Sequence, residues 1–339
     1  MPSSVRRALT LAACCGLVLL WSGAALSQSY SLSYLDSNLT GKAKHVDPLL
    51  KNAWGMAYAP GGAFWVSDEA SGYSTLYDGS GNLQTLQVVI PTSSGTGTGS
   101  PTGMVYNGSS EFKIFTWTSV FLFATLDGTI SGWSNFEPNN ALIGVRAAGA
   151  VYTGLAITKH TSGNFLYAAD AANNKVDVYD GNFNLVKSFT DATIPVGFAP
   201  FGIQDIGGLV YVTFASQTGG TSGYIDIFRE DGTFLKRLAQ GGRLNQPWGL
   251  AVAPQNFGTL SGTLLVSNNT TAGNINGFNR TTGKFVGTIL NSLGKPIAIN
   301  GLWGIEFGGG SALNGNKNQL FFTAGPNDTN GYFGVINAH

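Results

Sequence analysis

The sequence predicts an all-β protein, a six-bladed β-propeller whose blades are four-stranded antiparallel sheets. A Trp-Gly pair, or a close variant of it, returns six times at steps of 48, 51, 48, 47 and 55 residues, and a period of this length is typical of stacked or radial repeats. The chain also contains 48 glycines and few charged residues, 11%, as expected for a turn-rich β protein. The repeating glycines are Gly55, Gly103, Gly154, Gly202, Gly249 and Gly304.

The third copy shows the plan of one blade. Apolar runs begin at Gly154 and at Phe165, and the alternating run KVDVY occupies residues 175–179. The turn Asp180-Gly181 then leads into LVKSF at 185–189. Short runs of this kind, joined by tight turns, predict four antiparallel strands. The first, fourth and fifth copies repeat the plan, with turns at Asp78-Gly79, Asp231-Gly232 and Thr282-Gly283.

The last copy indicates how the ring closes. It supplies only three strands before the chain stops at His339, and the stretch YSLSYL at residues 30–35 is a strand without a blade of its own. We therefore predict that this N-terminal strand completes the last blade. A closed ring leaves few exposed strand edges, whereas a solenoid would need polar caps that the sequence does not show.

The first 27 residues have the features of a signal peptide. Arg6 and Arg7 precede an apolar run that extends to Trp21, and Ala25-Leu26-Ser27 has the form of a signal-peptidase site. The sequence thus predicts a leader at 1–27, one propeller domain at 28–339, and export to the periplasm or the extracellular space. General secretion is favoured over twin-arginine export, because the twin-arginine signal is only partly matched.

Removal of this leader limits the function classes. Both cysteines, Cys14 and Cys15, lie in it, so no disulfide or thiolate-bound metal is expected in the mature chain. Loss of the two arginines leaves a net charge near −2, and without a basic stripe nucleic acid is not a predicted partner. No further stretch is long and apolar enough to predict a membrane anchor.

The repeated units resemble NHL-type propeller blades, as in QPWGLA at 246–251 and LYAAD at 166–170. The whole mature chain resembles a family of exported bacterial NHL-like proteins of unknown function, some of which carry a C-terminal sorting signal of the PEP type; this chain shows no such signal. The stretches that carry the resemblance are HVDPL at 45–49, NAWG at 52–55, GTISGW at 128–133, APFGIQ at 199–204 and FTAGPND at 322–328. The resemblance implies the fold and no particular activity.

The residue before each repeating glycine is the first candidate for function. Four of these six residues are large aromatics, Trp54, Phe201, Trp248 and Trp303, and the other two are Thr102 and Thr153. All six residues occupy the same position at the start of an inner strand. We therefore predict that the aromatics gather at one mouth of the central channel. There they would form a ligand-binding surface for a small molecule, a glycan or a protein. The alternative interpretation is that they only pack neighbouring blades together.

A second repeated set follows the second strand of a blade, and its members are Asp68, Asp170, Asn268 and Asp328. If their oxygens converge at one face of the ring, they suit calcium. The alternative is local hydrogen bonding in turns, which Asp and Asn favour. Histidine is scarce, which argues against a histidine-based metal centre. His45 lies near Asp47 and Asn52 and is predicted to be a hydrogen-bonded structural residue.

Two function classes remain open at this point. The first is a non-enzymatic binding propeller that needs no cofactor and uses the aromatic mouth or the loops. The second is a calcium-dependent hydrolase or lactonase with the metal at the channel mouth, where it would polarise a carbonyl. Binding is the leading prediction, because no catalytic base or nucleophile stands out from the repeat.

Overall fold

The computed structural model describes residues 29–159 and 163–339. The predicted signal peptide at 1–27, its two cysteines and His160 lie outside these residues. Within them the strands form six sheets of four or five strands, antiparallel except for one short parallel pair, and one small two-stranded hairpin. Two turns of 3-10 helix are present, Gly258–Leu260 and Pro326–Asp328. The six sheets are the predicted blades, and the six-bladed propeller is confirmed.

Each of the first five blades follows the predicted order, with the first strand innermost. Blade 1 consists of Ala53–Tyr58, Phe64–Asp68, Tyr73–Tyr77 and Val88–Val89. Blade 2 consists of Pro101–Tyr106, Phe121–Thr125, Thr129–Trp133 and Leu142–Arg146, with the extra hairpin Lys113–Ile114 and Trp117–Thr118. Blade 3 consists of Tyr152–Thr158, Phe165–Asp170, Lys175–Tyr179 and Leu185–Phe189. Blade 4 consists of Phe198–Asp205, Leu209–Ser216, Gly223–Arg229 and Phe234–Gln240. Blade 5 consists of Pro247–Val252, Leu264–Asn268, Ile275–Phe278 and Phe285–Thr288.

Blade 6 is built from both ends of the chain, as predicted. Its strands are, from the inside outwards, Leu302–Phe307, Gln319–Ala324, Tyr332–Ala338, Tyr30–Ser37 and the two-residue His45–Val46. The N-terminal strand pairs antiparallel with the last strand of the chain, from Tyr30 opposite Ala338 to Ser37 opposite Tyr332. The Tyr30 hydroxyl also donates to the Phe257 carbonyl of blade 5 at 2.9 Å. The closing strand thus joins two blades as well as the two ends of the chain.

The repeating glycines are the positions where inner strands touch. A Cβ on Gly202 would lie 2.0 Å from the carbonyl oxygen of Trp248 in the next blade. A Cβ on Gly304 would lie 2.7 Å from the carbonyl oxygen of Trp54, so blade 6 contacts blade 1 in the same way. Only a residue without a side chain permits this backbone approach. The period found in the sequence therefore reflects the packing of a closed ring.

The apolar core is divided among the spaces between blades. Six clusters of buried side chains each combine residues of two neighbouring blades, for example Leu155 of blade 3 with Val105 of blade 2. The others lie between blades 3 and 4, 4 and 5, 5 and 6, 6 and 1, and 1 and 2. A seventh cluster contains Trp54, Trp248 and Trp303, one residue from each of three blades. This seventh cluster lies on the channel and is the starting point for the site.

Candidate functional site

The four predicted aromatics contact one another at one end of the central channel, and we call them the mouth cluster: Trp54, Phe201, Trp248 and Trp303. The Trp54 and Trp303 rings are stacked, with centroids 3.6 Å apart and an interplanar angle of 18°. Trp54 of blade 1 also meets Phe201 of the opposite blade 4, at a centroid distance of 6.2 Å. The rings therefore span the channel, and only 4–9% of each tryptophan is exposed.

Hydroxyl groups on the second strands of blades 5 and 6 hold the tryptophans of the mouth cluster in place. Ser267 accepts a hydrogen bond from the Gly249 amide at 2.8 Å and donates to the Trp303 carbonyl of the next blade at 2.5 Å. Thr323 makes the equivalent pair of bonds, to the Gly304 amide and to the Trp54 carbonyl. Each hydroxyl fixes the backbone of the following blade relative to its own, so the aromatic side chains have little freedom to separate.

The indole nitrogens of the mouth cluster differ in their hydrogen bonding. Trp248 Nε1 donates to the Thr153 carbonyl at 2.9 Å, and Trp303 Nε1 donates to Asn52 Oδ1 at 3.1 Å. Trp54 Nε1 is buried and has no hydrogen-bond partner among the residues that the structure describes. Buried donors without a partner are rare in proteins, because such a group loses its hydrogen bond to water on folding and gains none in exchange. It marks a position where an oxygen of water or of a ligand would be stabilised.

Beyond the repeating glycines, the channel contains two polar side chains that the sequence reasoning missed. The cavity there has a volume of about 40 Å³ and is lined by Gln204 and Glu306 among apolar residues, which leaves room for on the order of two or three waters. Burial raises the pKa of Glu306 from 4.5 to about 7. Its carboxyl group is therefore able to hold or release a proton near neutral pH.

A signal for these two residues was present in the repeat. The position two residues after the glycine is alanine or valine in four blades and polar in the other two. The residues at this position, in blade order, are Ala57, Val105, Ala156, Gln204, Ala251 and Glu306. Aligning the six copies at this position would have identified Gln204 and Glu306 as departures from the pattern.

The predicted calcium ligands each make contacts inside their own blade or with the chain leading into it. Asp68 accepts hydrogen bonds from the hydroxyl and amide of Thr75, at 2.7 and 3.2 Å. The carboxylate of Asp170 accepts from the Val151 amide, and Asn268 donates to the Arg243 carbonyl. These contacts fit the alternative interpretation, local hydrogen bonding in repeated turns.

The fourth predicted ligand, Asp328, is exposed on a 3-10 turn. In the described parts of the chain, no group of three or more His, Cys, Asp and Glu side chains has an arrangement that holds a metal ion. The donor set therefore does not fit calcium in this arrangement.

The segment leading into blade 1 contains a separate buried polar group. Asp36 is fully buried, and neither of its carboxylate oxygens has a hydrogen-bond partner in the described part of the chain. Burial, followed by the neighbouring charges of Asp47 and Asp78, raises its pKa to about 7. His45 lies opposite Asp36 in the parallel strand pair. Its Nε2 is also buried and has no partner among the described residues, so the structure does not show the hydrogen-bonded histidine that the sequence predicts. The neighbouring Asp47, in contrast to Asp36, has a partner: its carboxyl group accepts a hydrogen bond from the Tyr77 hydroxyl at 2.8 Å.

Solved structures with the same fold confirm the class of protein, a six-bladed β-propeller. A streptogramin B lyase superposes with a TM-score of 0.54 and 12% identity, covering 93% of this chain and 99% of that one. A gluconolactonase from Xanthomonas campestris superposes with a TM-score of 0.54 and 14% identity, covering 86% and 88%. At these identities the likeness extends to the fold alone.

Sequence comparison then identifies the family. The chain is 33% identical over 320 residues to "Uncharacterized protein R648" of Acanthamoeba polyphaga mimivirus, covering 87% of this chain and 77% of that protein. It is 30% identical over 301 residues to "Uncharacterized protein L690" of the same virus. The chain belongs to the family of these viral proteins. No protein-family profile matches it.

Proposed function

We propose that this protein is an exported, NHL-like β-propeller that binds a ligand at the mouth cluster and catalyses no reaction. The ligand is a small molecule, a glycan or a segment of a protein partner, and its oxygen accepts a hydrogen bond from Trp54 Nε1. The observation that carries the proposal is this buried indole donor, which has no partner within residues 29–159 and 163–339 although the other two indoles of the cluster are paired.

The mouth cluster is suited to binding for two physical reasons. The rings are already packed against one another, so binding costs little side-chain entropy. A ligand oxygen at Trp54 Nε1 also removes the cost of an unpaired buried donor, which is about 1–3 kcal/mol. A ligand that makes only a small contact at this point therefore gains more binding free energy than its buried area alone predicts.

The test of this proposal is the substitution Trp54→Phe, which keeps an aromatic ring in the stack and removes the donor. A panel of neutral sugars and small carbonyl compounds is screened by thermal shift, and the affinity of each ligand found is measured by calorimetry. We expect Trp54→Phe to weaken binding about tenfold and to lower the free energy of unfolding by about 1–2 kcal/mol, because the smaller ring leaves space in a buried stack.

The matched control is Trp65→Phe, at a buried tryptophan that packs between blades 1 and 2, outside the mouth cluster. It should leave the affinity unchanged. If Trp54→Phe and Trp65→Phe bind the ligand equally well, the mouth cluster serves packing alone and the proposal fails.

A calcium-dependent hydrolase or lactonase is the second candidate. The observation that favours it is Glu306, which lines the same channel cavity as Gln204 and whose pKa burial raises to about 7, a value that suits a general base. Since Asp68, Asp170 and Asn268 bond within their own blade or with the chain leading into it, we derive no step through calcium. Repeating the binding assay in the presence of a chelator distinguishes the two candidate functions. Binding and a melting temperature that survive chelation favour the first, and loss of both favours the second.

A further inference from the structure

Blade 2 departs from the plan of the other blades. Between its inner strand and its second strand the chain inserts a hairpin, Lys113–Ile114 paired with Trp117–Thr118. The inner strand begins at the mouth cluster and ends before this hairpin, so the hairpin lies on the opposite face of the ring. The packing of the propeller itself does not require this insertion, because the described residues of the other five blades contain no such hairpin.

The hairpin and the loop between the third and fourth strands of blade 2 expose three aromatic side chains. We call these side chains the platform: Phe115, Trp117 and Phe136. Their exposed fractions are 83%, 47% and 51%. The Trp117 and Phe136 rings are stacked, with centroids 4.4 Å apart and an interplanar angle of 13°. Among the residues that the structure describes, only two other Phe or Trp side chains are comparably exposed, and the platform therefore concentrates exposed aromatic surface in one place.

Buried residues hold both parts of the platform in place. Phe112, at the base of the hairpin, is fully buried, and its amide donates to the Gly181 carbonyl of blade 3 at 2.7 Å. Trp133 Nε1 donates to the Pro138 carbonyl at 2.9 Å and so fixes the loop that carries Phe136. A surface that is rigid before binding loses little entropy when a ligand arrives.

A cavity of about 470 Å³ lies beside the platform. Apart from Trp117 and Phe136 it is lined by Thr118, Val120, Ser134 and Asn135, and none of these side chains carries a charge. The side chains of Ser134 and Asn135 have no hydrogen-bond partner in the described chain and are free to bond with a ligand. Flat aromatic faces therefore lie next to free hydroxyl and amide groups.

We propose that the platform binds a neutral carbohydrate. A pyranose ring has an apolar C–H face that packs on an aromatic ring and a rim of hydroxyl groups that bond to Ser134 and Asn135. The absence of charge in the lining matches an uncharged sugar. A second copy or a protein partner fits less well, because the three exposed rings offer roughly 400 Å², about half of what one side of a stable protein interface buries.

The experiment is calorimetric titration of the purified protein with cellohexaose, chitohexaose and maltohexaose, three neutral oligosaccharides, preceded by a neutral-glycan array. We expect Trp117→Ala to weaken binding of the recognised sugar by about tenfold or more, through loss of stacking. Ser134→Ala together with Asn135→Ala should weaken it severalfold without changing the rings. The matched control is Phe234→Ala, at an exposed aromatic on the outer strand of blade 4, which should bind as the unchanged protein does.

Three results would overturn the proposal. One is that no neutral glycan binds on the array or in the titrations. A second is that binding occurs but Trp117→Ala and Phe234→Ala bind equally well. The third is a dimer, seen by sedimentation, that Trp117→Ala disrupts, since a second copy of the chain would then occupy the platform. Because Trp54→Phe does not touch this face, failure here is distinct from failure of the mouth cluster.

Discussion

The mouth cluster and the platform use the same residue types in opposite ways. At the mouth, the tryptophans are less than a tenth exposed and make stacked or edge contacts across the channel. At the platform, Trp117 stacks on a single neighbour and keeps about half of its surface in water. An aromatic motif alone therefore does not separate packing from binding. Exposure and unpaired polar groups beside the rings make that distinction.

The largest expected difference between the two regions is in stability. Trp303→Ala removes a ring that contacts the other three members of the mouth cluster, and it should lower the free energy of unfolding by about 3–5 kcal/mol. Trp117→Ala, at the half-exposed platform, should lower it by about 1 kcal/mol or less. Urea unfolding followed by circular dichroism measures both values. Equal losses at the two positions would contradict the contrast.

A smaller effect should follow from the glycines that bring the mouth cluster together. In Gly202→Ala the new methyl group meets the Trp248 carbonyl oxygen at 2.0 Å, and the backbone of blade 4 or blade 5 must shift. We expect a loss of about 1–3 kcal/mol of unfolding free energy, because overpacking against backbone is not relieved by a rotamer change.

The control for this prediction is Gly287→Ala, on the outer strand of blade 5. There the nearest atom, 3.2 Å from the new methyl group, belongs to the flexible side chain of Leu260. A change of less than about 1 kcal/mol is expected at this position. If both glycine substitutions cost the same in urea unfolding, close approach of the inner strands is not the reason for the repeat.

The sequence predicted the ring because its cause is local. A glycine is needed wherever one inner strand touches the next, so the same residue type returns at each blade and the period is visible without a structure. The strand at 30–35 was also predicted to complete the last blade, since an alternating segment without a partner has few other places to pair. The gathering of Trp54, Phe201, Trp248 and Trp303 followed from their common phase on the inner strands.

The other features of the two sites depend on distances across the ring, and the length of the repeat carries no information about these distances. That Trp54 reaches Phe201 of the opposite blade, and so closes the mouth, follows from the channel radius. The platform was missed because its hairpin interrupts the repeat, and because exposure of Phe115 and Trp117 is a tertiary property. The Trp-Gly pair does not point to Glu306, because this residue departs from the repeat two positions after the glycine, where four of the six copies have alanine or valine.

The smallest expected effect concerns Glu306, in the channel on the far side of the repeating glycines. Its folded-state pKa of about 7 lies above the ordinary value of 4.5. Below pH 4.5 the carboxyl group is protonated in both states and costs nothing. Between pH 4.5 and 7 the unfolded state loses the proton first, so the free energy of unfolding falls as the pH rises, and above pH 7 the loss is complete. Glu306→Gln removes this dependence.

We therefore expect Glu306→Gln to be more stable than the unchanged protein at pH 8, by about 1 kcal/mol once screening by channel water is allowed for. At pH 4 the two proteins should unfold at nearly the same urea concentration, which serves as the internal control. Urea midpoints measured from pH 4 to 8 test this directly. A stability difference that does not change with pH would show that Glu306 is ionised at the same pH in the folded and unfolded chain. The channel would then be wetter than its 40 Å³ cavity implies, and the contrast between a closed mouth and an open platform would weaken accordingly.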